Sequence, residues 1–191
     1  MNNRQTPAAL GYRMPAEWEP HASAWLTWPQ TEEFWPDAMM DAMESAYVSM
    51  IRALTTGENV DLLVNSKQKA KSVEERLTRE KIPVGRVHIH IIPTNDIWIR
   101  DYGPNFIVGP KGSGKLAFNK WDFNSWGDKY DFTDDKEVTT ALVPKLGITV
   151  FHPGIVLEGG AIEVNGVGTC ITTEQCLLNN NRNGELTRAD M

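Results

Sequence analysis

The stretch that decides how this chain is interpreted is Asn95-Asp96-Ile97-Trp98-Ile99-Arg100-Asp101-Tyr102-Gly103-Pro104. It lies between two apolar, strand-like runs, and side chains on loops that rigid strands hold in place are often functional. A turn needs Gly, Pro, Asn or Asp for its backbone angles, but it does not need an indole beside a carboxylate. Guanidinium, a planar cation, stacks on aromatic rings and forms paired hydrogen bonds with carboxylates. Two interpretations stay open: Trp98 and Asp101 bind such a cation, or Trp98 is core and Arg100 and Asp101 pair with neighbouring chain.

A second carboxylate, Glu158, comes at the end of a predicted strand and is followed by Gly159 and Gly160. Glycines allow a close approach of the backbone that any side chain would block, so this carboxylate can be presented into a cleft. The alternative is a strand-end glutamate in solvent, with the glycines making a plain bend. Taken together, Asp101, Glu158 and the indole of Trp98 are the groups that a guanidinium site needs.

The composition is that of an ordinary globular protein. The chain has 191 residues, 41% hydrophobic and 23% charged, with a net charge of −6, which suits one domain or two small ones. Basic residues do not cluster, so we expect no nucleic-acid partner. The N-terminus lacks the apolar core of a signal peptide and no run reaches transmembrane length, so we expect no membrane and a cytoplasmic location. Two cysteines do not make a disulfide framework; we expect Cys170 to be packed and Cys176 to be structural.

Two helices are predicted in the first half. Pro36 has the first-turn position of a helix that Gly57 ends. Ser66 is expected to cap a second, highly charged surface helix that runs to about Ile82. The apolar residues that recur at helical spacing in the first helix, and that we expect to form its buried face, are Met39, Met43, Ala46, Met50 and Leu54.

Two patterns imitate ligand sites. His88 and His90 alternate along a predicted strand and point to one face, but no third ligand is near in sequence, so we expect half-exposed strand histidines and no metal. The run 109–115 has nearly the spacing of a P-loop. Leu116 stands where a magnesium-binding Ser or Thr belongs, and no helix follows, so we predict a hairpin tip and no nucleotide.

The later elements alternate hairpins with single helices, which does not fit a doubly wound parallel sheet. They favour a mixed α/β fold of repeated ββαβ-like units. The predicted elements are a hairpin (106–108 and 116–123), an aromatic loop long enough to be a functional flap (121–130), a helix from Asp134 or Asp135 to about Leu146, a hairpin (161–164 and 169–172) and a helix beginning at Glu185 or Leu186.

Four separate segments resemble the agmatine deiminases, which are part of the wider family of bacterial peptidyl-arginine deiminases. They read MPAEWEPH at 14–21, NDIWIRDYGP at 95–104, LEGG at 157–160 and TTEQCLLNNNRN at 172–183. The segments occur in the family's order, so the resemblance is far more specific than any single motif.

The resemblance implies a pentein-type α/β propeller of five ββαβ units, of which this chain supplies about the first half. Residues 1–13 would be a loosely ordered N-terminus and 14–191 a partial deiminase domain. It also implies hydrolysis of agmatine to N-carbamoylputrescine and ammonia through a cysteine thiouronium intermediate, without a metal or an organic cofactor.

By similarity, Asp101 binds the guanidinium nitrogens, Trp98 lines the substrate channel, and Glu158 contacts the guanidinium beside a catalytic histidine. Asp101 and Glu158 are therefore the candidate catalytic residues. The carboxylates would fix the plane of the guanidinium and keep it protonated. A thiolate would then attack its carbon, and a histidine would transfer protons.

The chain departs from the family pattern at its end. The family's Gly-His-x-Asp segment and nucleophilic cysteine come after the Asn-Arg region, and the chain ends at Met191 before either. We therefore expect the N-terminal portion of a longer enzyme, inactive alone. The alternatives are deimination of peptidyl arginine and a truncated protein that binds guanidinium compounds without catalysis. The expected partner is agmatine, and the expected protein assembly is a homodimer.

Overall fold

The chain folds into two units in the computed structural model, which describes residues 6–29 and 36–190. We call Pro20–Ile99 with Phe132–Val138 the parallel-sheet unit. The rest, comprising the chain up to Glu19, Arg100–Asp131 and the chain from Thr139 onward, is the hairpin unit.

Three parallel strands form the sheet of the parallel-sheet unit. They are β1 (Ser23–Thr27), β2 (Asn59–Val64) and β3 (Val87–Ile91), paired in that order. Parallel neighbours need a crossover connection. A helix accordingly follows each of the first two strands: α1 (Asp37–Leu54) and α2 (Lys67–Arg79). The two predicted helices and the predicted strand that carries His88 and His90 are therefore present.

The predicted buried face of α1 is wrong except at Leu54, which packs against the core. Met39 and Met50 are 46% and 41% exposed, so most of the methionine stripe faces outward. The inward face instead follows i, i+3, i+4 and i+7 and consists of Glu44, Tyr47, Val48 and Ile51. Glu44 favours this rotation because its carboxylate accepts from the indole N–H of Trp28 (3.2 Å) and from the guanidinium of Arg76 (2.6 Å). Helical spacing does not say which of two apolar stripes a sheet will cover.

Helix α2 begins as predicted. The Oγ atom of Ser66 accepts a hydrogen bond from the backbone N–H of Lys69 at 3.1 Å, which confirms the cap. The helix ends at Arg79 and not near Ile82, because Lys81 has a positive φ of 58° and the next residue turns into the core. A few apolar side chains, Val73 and Leu77 among them, attach this otherwise charged helix to the core.

His88 and His90 lie on one face of β3, as predicted, and both meet a carboxylate of β2. The Oδ1 atom of Asp61 is 2.7 Å from His90 Nε2 and 3.4 Å from His88 Nδ1. Burial alone would raise the pKa of Asp61, but hydrogen bonds from His90 and Ser23 outweigh it and hold this pKa below its ordinary value. Asp61 is a partner that the spacing of the two histidines did not indicate.

The main sheet of the hairpin unit has the order ββαβ. After the one-turn helix α3 (Ile99–Tyr102), strands β4 (Asn105–Val108) and β5 (Leu116–Asn119) pair antiparallel. Helix α4 (Val138–Leu146) then leads to β6 (Thr149–Phe151), which is parallel to β5. A turn of 3-10 helix, Asp135–Glu137, precedes α4, so the helix predicted there is confirmed with a tighter start.

The P-loop-like run is a hairpin tip, as predicted. The N–H of Gly109 donates to the carbonyl of Lys115 at 2.8 Å, which closes the turn between β4 and β5. At the N-terminus, Ala8–Leu10 forms one turn of 3-10 helix and Arg13 pairs with Val108 of β4. Residues 1–5 of the predicted loose N-terminus lie outside the described part of the chain.

A second hairpin, β7 (Glu163–Val164) and β8 (Cys170–Ile171), pairs antiparallel around Asn165-Gly166, as predicted. Cys170 is exposed and not packed as expected, because β8 lies in a ribbon of two short strands.

The last predicted helix is also wrong: residues 185–190 form turns. Helix α5 (Glu174–Leu178) forms earlier, where the Oγ1 atom of Thr173 caps it by accepting from Cys176 N at 3.2 Å. No helix in the described ranges is long and apolar enough to cross a membrane.

Candidate active site

The decisive stretch is divided between the units, with Trp98 in the parallel-sheet unit and Asp101 in the hairpin unit. Trp98 is 49% exposed, so it is not a core residue, and its side chain hydrogen-bonds to the carboxylate of Asp96. Burial raises the pKa of Asp96 above its ordinary value, while hydrogen bonds from Ile97 N (2.7 Å) and from Trp98 oppose the shift. The indole of Trp98 is thus both accessible and oriented.

Reciprocal hydrogen bonds fix the start of the stretch. The Oδ1 atom of Asn95 accepts from the N–H groups of Asp134 (2.7 Å) and Asp135 (3.2 Å). In return, the Oδ1 atom of Asp135 accepts from the N–H groups of Asn95 (2.8 Å) and Asp96 (3.3 Å). Each side chain satisfies the backbone of the other segment, so Asn95 serves the fold and is not free for a ligand.

Asp135→Asn is expected to remove a loss of stability that the wild-type protein shows as the pH rises. Burial raises the pKa of Asp135 to about 7, although backbone hydrogen bonds oppose the shift. The folded state therefore holds a proton that the unfolded state has lost, and the free energy of unfolding falls from about pH 4 to about pH 7, by at most about 4 kcal/mol. Asparagine keeps the acceptor oxygen and does not titrate.

Urea unfolding of both proteins at about pH 5 and about pH 8 measures this difference. We expect the variant to equal or exceed the wild type at the higher pH. The same pH dependence in both proteins would show that Asp135 does not titrate in this window.

Two donors hold the carboxylate of Asp101 within the hairpin unit. Its Oδ1 atom accepts from the N–H of Gly160 at 2.9 Å, and its Oδ2 atom accepts from the indole N–H of Trp126 at 3.1 Å. Each oxygen keeps a further lone pair, so the carboxylate can still accept two N–H groups of a planar cation. Asp101 therefore keeps the acceptor capacity that binding of a planar cation would use.

The two glycines after Glu158 allow α3 to pack against this turn. A Cβ atom on Gly159 would overlap the carbonyl oxygen of Arg100, and one on Gly160 would overlap the carboxylate of Asp101. The Nε atom of Arg100 also donates to the carbonyl of Gly159 at 3.1 Å. The two glycines therefore do allow the close approach that the sequence suggested, and the segment that approaches them is Arg100–Asp101 of α3.

Glu158 is a buried carboxylate that already holds a guanidinium. Its Oε1 atom lies 2.5 Å from the Nε atom of Arg182, and the two side chains are only 4% and 9% exposed. Asn183 supports the same turn, because its amide accepts from Val156 N (2.9 Å) and donates to the carbonyl of Val156 (2.8 Å). The alternative of a solvent-exposed strand-end glutamate is wrong.

The structure places Asp101 against the turn that follows Glu158, because the N–H of Gly160 donates to Asp101. Sequence reasoning missed Trp126 and Arg182. The sequence predicts that the aromatic loop is a functional flap, but nothing local says which of its tryptophans reaches Asp101, since the contact spans 25 residues. Arg182 lies in a segment that carried the family resemblance, and its charge was a usable signal.

Among the described residues, no group of three or more His, Cys, Asp or Glu is arranged to hold a metal ion. The side chains around Asp101 and Glu158 are instead hydrogen-bond donors and acceptors. Such a site can orient a planar cation and stabilise its charge.

Solved structures share this fold. The agmatine deiminase of Enterococcus faecalis superposes with a TM-score of 0.84 at 29% identity, over 97% of this chain and 50% of that chain. A cysteine-to-serine variant of the C. jejuni agmatine deiminase with substrate bound gives 0.80 at 27% identity, over 93% and 50%. The chain therefore has the mixed α/β fold of these agmatine deiminases over about half of their length, which confirms the predicted fold class.

The chain belongs to the Porphyromonas-type peptidyl-arginine deiminase family, whose model matches residues 13–191. The agmatine deiminase of Medicago truncatula is 36% identical over 202 residues, which cover 100% of this chain and 52% of the relative. The chain thus spans about half the length of the curated relatives it matches. The resemblance predicted from the four segments is confirmed.

Proposed function

We propose that this protein hydrolyses agmatine to N-carbamoylputrescine and ammonia. The observation that carries the proposal is that the turn carrying Glu158 also hydrogen-bonds to Asp101. Gly160, two residues after Glu158, donates its N–H to Asp101 at 2.9 Å, so one short turn positions both acids. Relatives of this chain are agmatine deiminases, and one solved relative holds its substrate.

Each acid has its own role in this proposal. Asp101 accepts two N–H groups of the substrate guanidinium and fixes its plane, because both of its oxygens are already oriented by protein donors. Glu158 keeps Oε1 on Arg182 and offers its second oxygen to the substrate, which holds the guanidinium in its protonated, electrophilic form. By resemblance to the family, Trp98 lines the substrate channel, where an indole suits a planar cation.

The chemistry is covalent. A thiolate adds to the guanidinium carbon, a histidine delivers a proton, and the C–N bond breaks to release ammonia. Water then adds to the thiouronium carbon, the C–S bond breaks, and the thiolate is regenerated. We assign the thiolate and the histidine to the region that the relatives have and this chain does not cover. Neither Cys170 nor Cys176 is the nucleophile in this proposal. We also expect a cytoplasmic location.

Ammonia release by the full-length protein tests the proposal. We expect turnover of agmatine, with a kcat/KM at least about tenfold above that for a peptide with C-terminal arginine, because a site discriminates through the groups it must leave unpaired. Faster turnover of the peptide would support the second candidate, peptidyl-arginine deimination, which the description of the matching family favours. Binding of agmatine without ammonia release would show that the protein binds guanidinium compounds and is not a deiminase.

A further inference from the structure

The one polar atom of the Trp126 side chain is directed at Asp101. Its indole N–H takes Oδ2 at 3.1 Å, whereas Gly160 takes Oδ1 at 2.9 Å. Donors on different oxygens fix the rotation of a carboxylate, which a single donor would leave free. The ring of Trp126 is itself oriented, because the rings of Phe123 and Tyr130 meet it edge-on with centroids 5.4 Å and 6.2 Å away.

Trp126 lies in a turn with an unusual backbone. Four consecutive residues, from Ser125 to Asp128, have positive φ angles of 51°, 56°, 94° and 57°. Only Gly127 adopts such angles without steric cost, and a large aromatic residue is poorly suited to them. The N–H of Asp128 donates to the carbonyl of Asn124 at 2.7 Å, which helps to close a left-handed turn. Strain of this kind persists only where the surroundings hold it, and it clusters at functional sites.

The segment that carries Arg182 holds the turn. The side chain of Asn124 donates to the carbonyl of Asn181 at 3.0 Å and accepts from the N–H of Gly127 at 3.1 Å. A Cβ atom on Gly127 would overlap both the amide of Asn181 and the guanidinium of Arg182. Arg182 also pairs with Glu158, so the turn packs against the residue that holds the second carboxylate.

We propose that Trp126 is a positioning residue for Asp101, and that the left-handed turn Ser125–Asp128 serves to direct its indole N–H at that carboxylate. The inference rests on the proposed function, in which Asp101 holds the substrate guanidinium. Parallel N–H donors of a guanidinium require a carboxylate in the same plane. Trp126 acts on that plane and does not need to touch the substrate.

Trp126→Phe in the full-length protein tests the inference, since phenylalanine keeps an aromatic ring and removes the N–H. We expect kcat/KM for agmatine to fall by about 100-fold, with a rise in KM of about tenfold as part of that loss. The rise in KM distinguishes positioning from a folding defect, because partial unfolding lowers the active fraction and leaves KM unchanged. Trp121→Phe is the matched control: Trp121 lies in the same loop, and its buried indole N–H has no hydrogen-bond partner among the described residues.

Wild-type constants for Trp126→Phe would overturn the inference. A fall in kcat at unchanged KM would also overturn it, and so would an equal loss in Trp121→Phe, because either result would assign Trp126 a structural role. If the wild-type protein released no ammonia from agmatine, the proposed function would fail and this inference with it. An active wild type with an unaffected Trp126→Phe variant would remove the inference alone.

Discussion

Asp101→Asn is expected to lower kcat/KM for agmatine by roughly 30- to 5,000-fold, which corresponds to about 2–5 kcal/mol for one lost partner of a buried charge pair. The loss has two causes. The charge that holds the guanidinium disappears, and the new NH₂ group must face either Gly160 N–H or Trp126 Nε1–H, both of which are donors. Steady-state ammonia release by the full-length variant measures the effect.

Asp128→Asn is the control for Asp101→Asn. Asp128 is exposed and has a positive φ of 57°, a conformation that asparagine adopts readily. We expect this variant to keep wild-type turnover and an unchanged melting temperature. If Asp101→Asn had near-normal activity, Asp101 would not belong to the site. If both variants lost activity equally, the loss in Asp101→Asn would reflect the removal of a negative charge from the hairpin unit and not a specific role of Asp101.

Arg182→Ala is expected to lower the free energy of unfolding by about 3–5 kcal/mol, because it leaves the buried carboxylate of Glu158 without its cation. Both side chains are almost fully covered, and their contact of 2.5 Å joins segments 24 residues apart. Urea denaturation of the variant and the wild type measures the change, with the slope m compared to confirm that the unfolded states are alike.

Arg188→Ala is the matched control for Arg182→Ala, since Arg188 also pairs with a glutamate, Glu174, but both side chains are well exposed. Exposed ion pairs contribute little because water and salt screen them, so we expect no measurable change in this variant. Equal effects of the two substitutions would show that burial of the Glu158–Arg182 pair does not determine its contribution.

Much of the secondary structure could be predicted because its signals are local. Ser66 caps α2 through a hydrogen bond three residues away, and the hairpin tip at 109–115 closes between neighbouring strands. The candidate acids were also local signals, since a carboxylate beside an indole or before two glycines is not needed by a turn. The predictions were wrong where local signals allowed two arrangements, as with the two apolar stripes of α1, either of which could have been the buried face.

The sequence by itself determined most element types, their order and the choice of Asp101 and Glu158 as candidate acids, because backbone preference and hydrophobic period depend on near neighbours. Only the tertiary structure decided what holds those acids. The contacts of Asp101 with Trp126 and Gly160 span 25 and 59 residues, and Glu158 meets Arg182 across 24. Such pairings depend on how loops and strands align after folding. Many side chains of the right chemistry were available, and packing selected one of them.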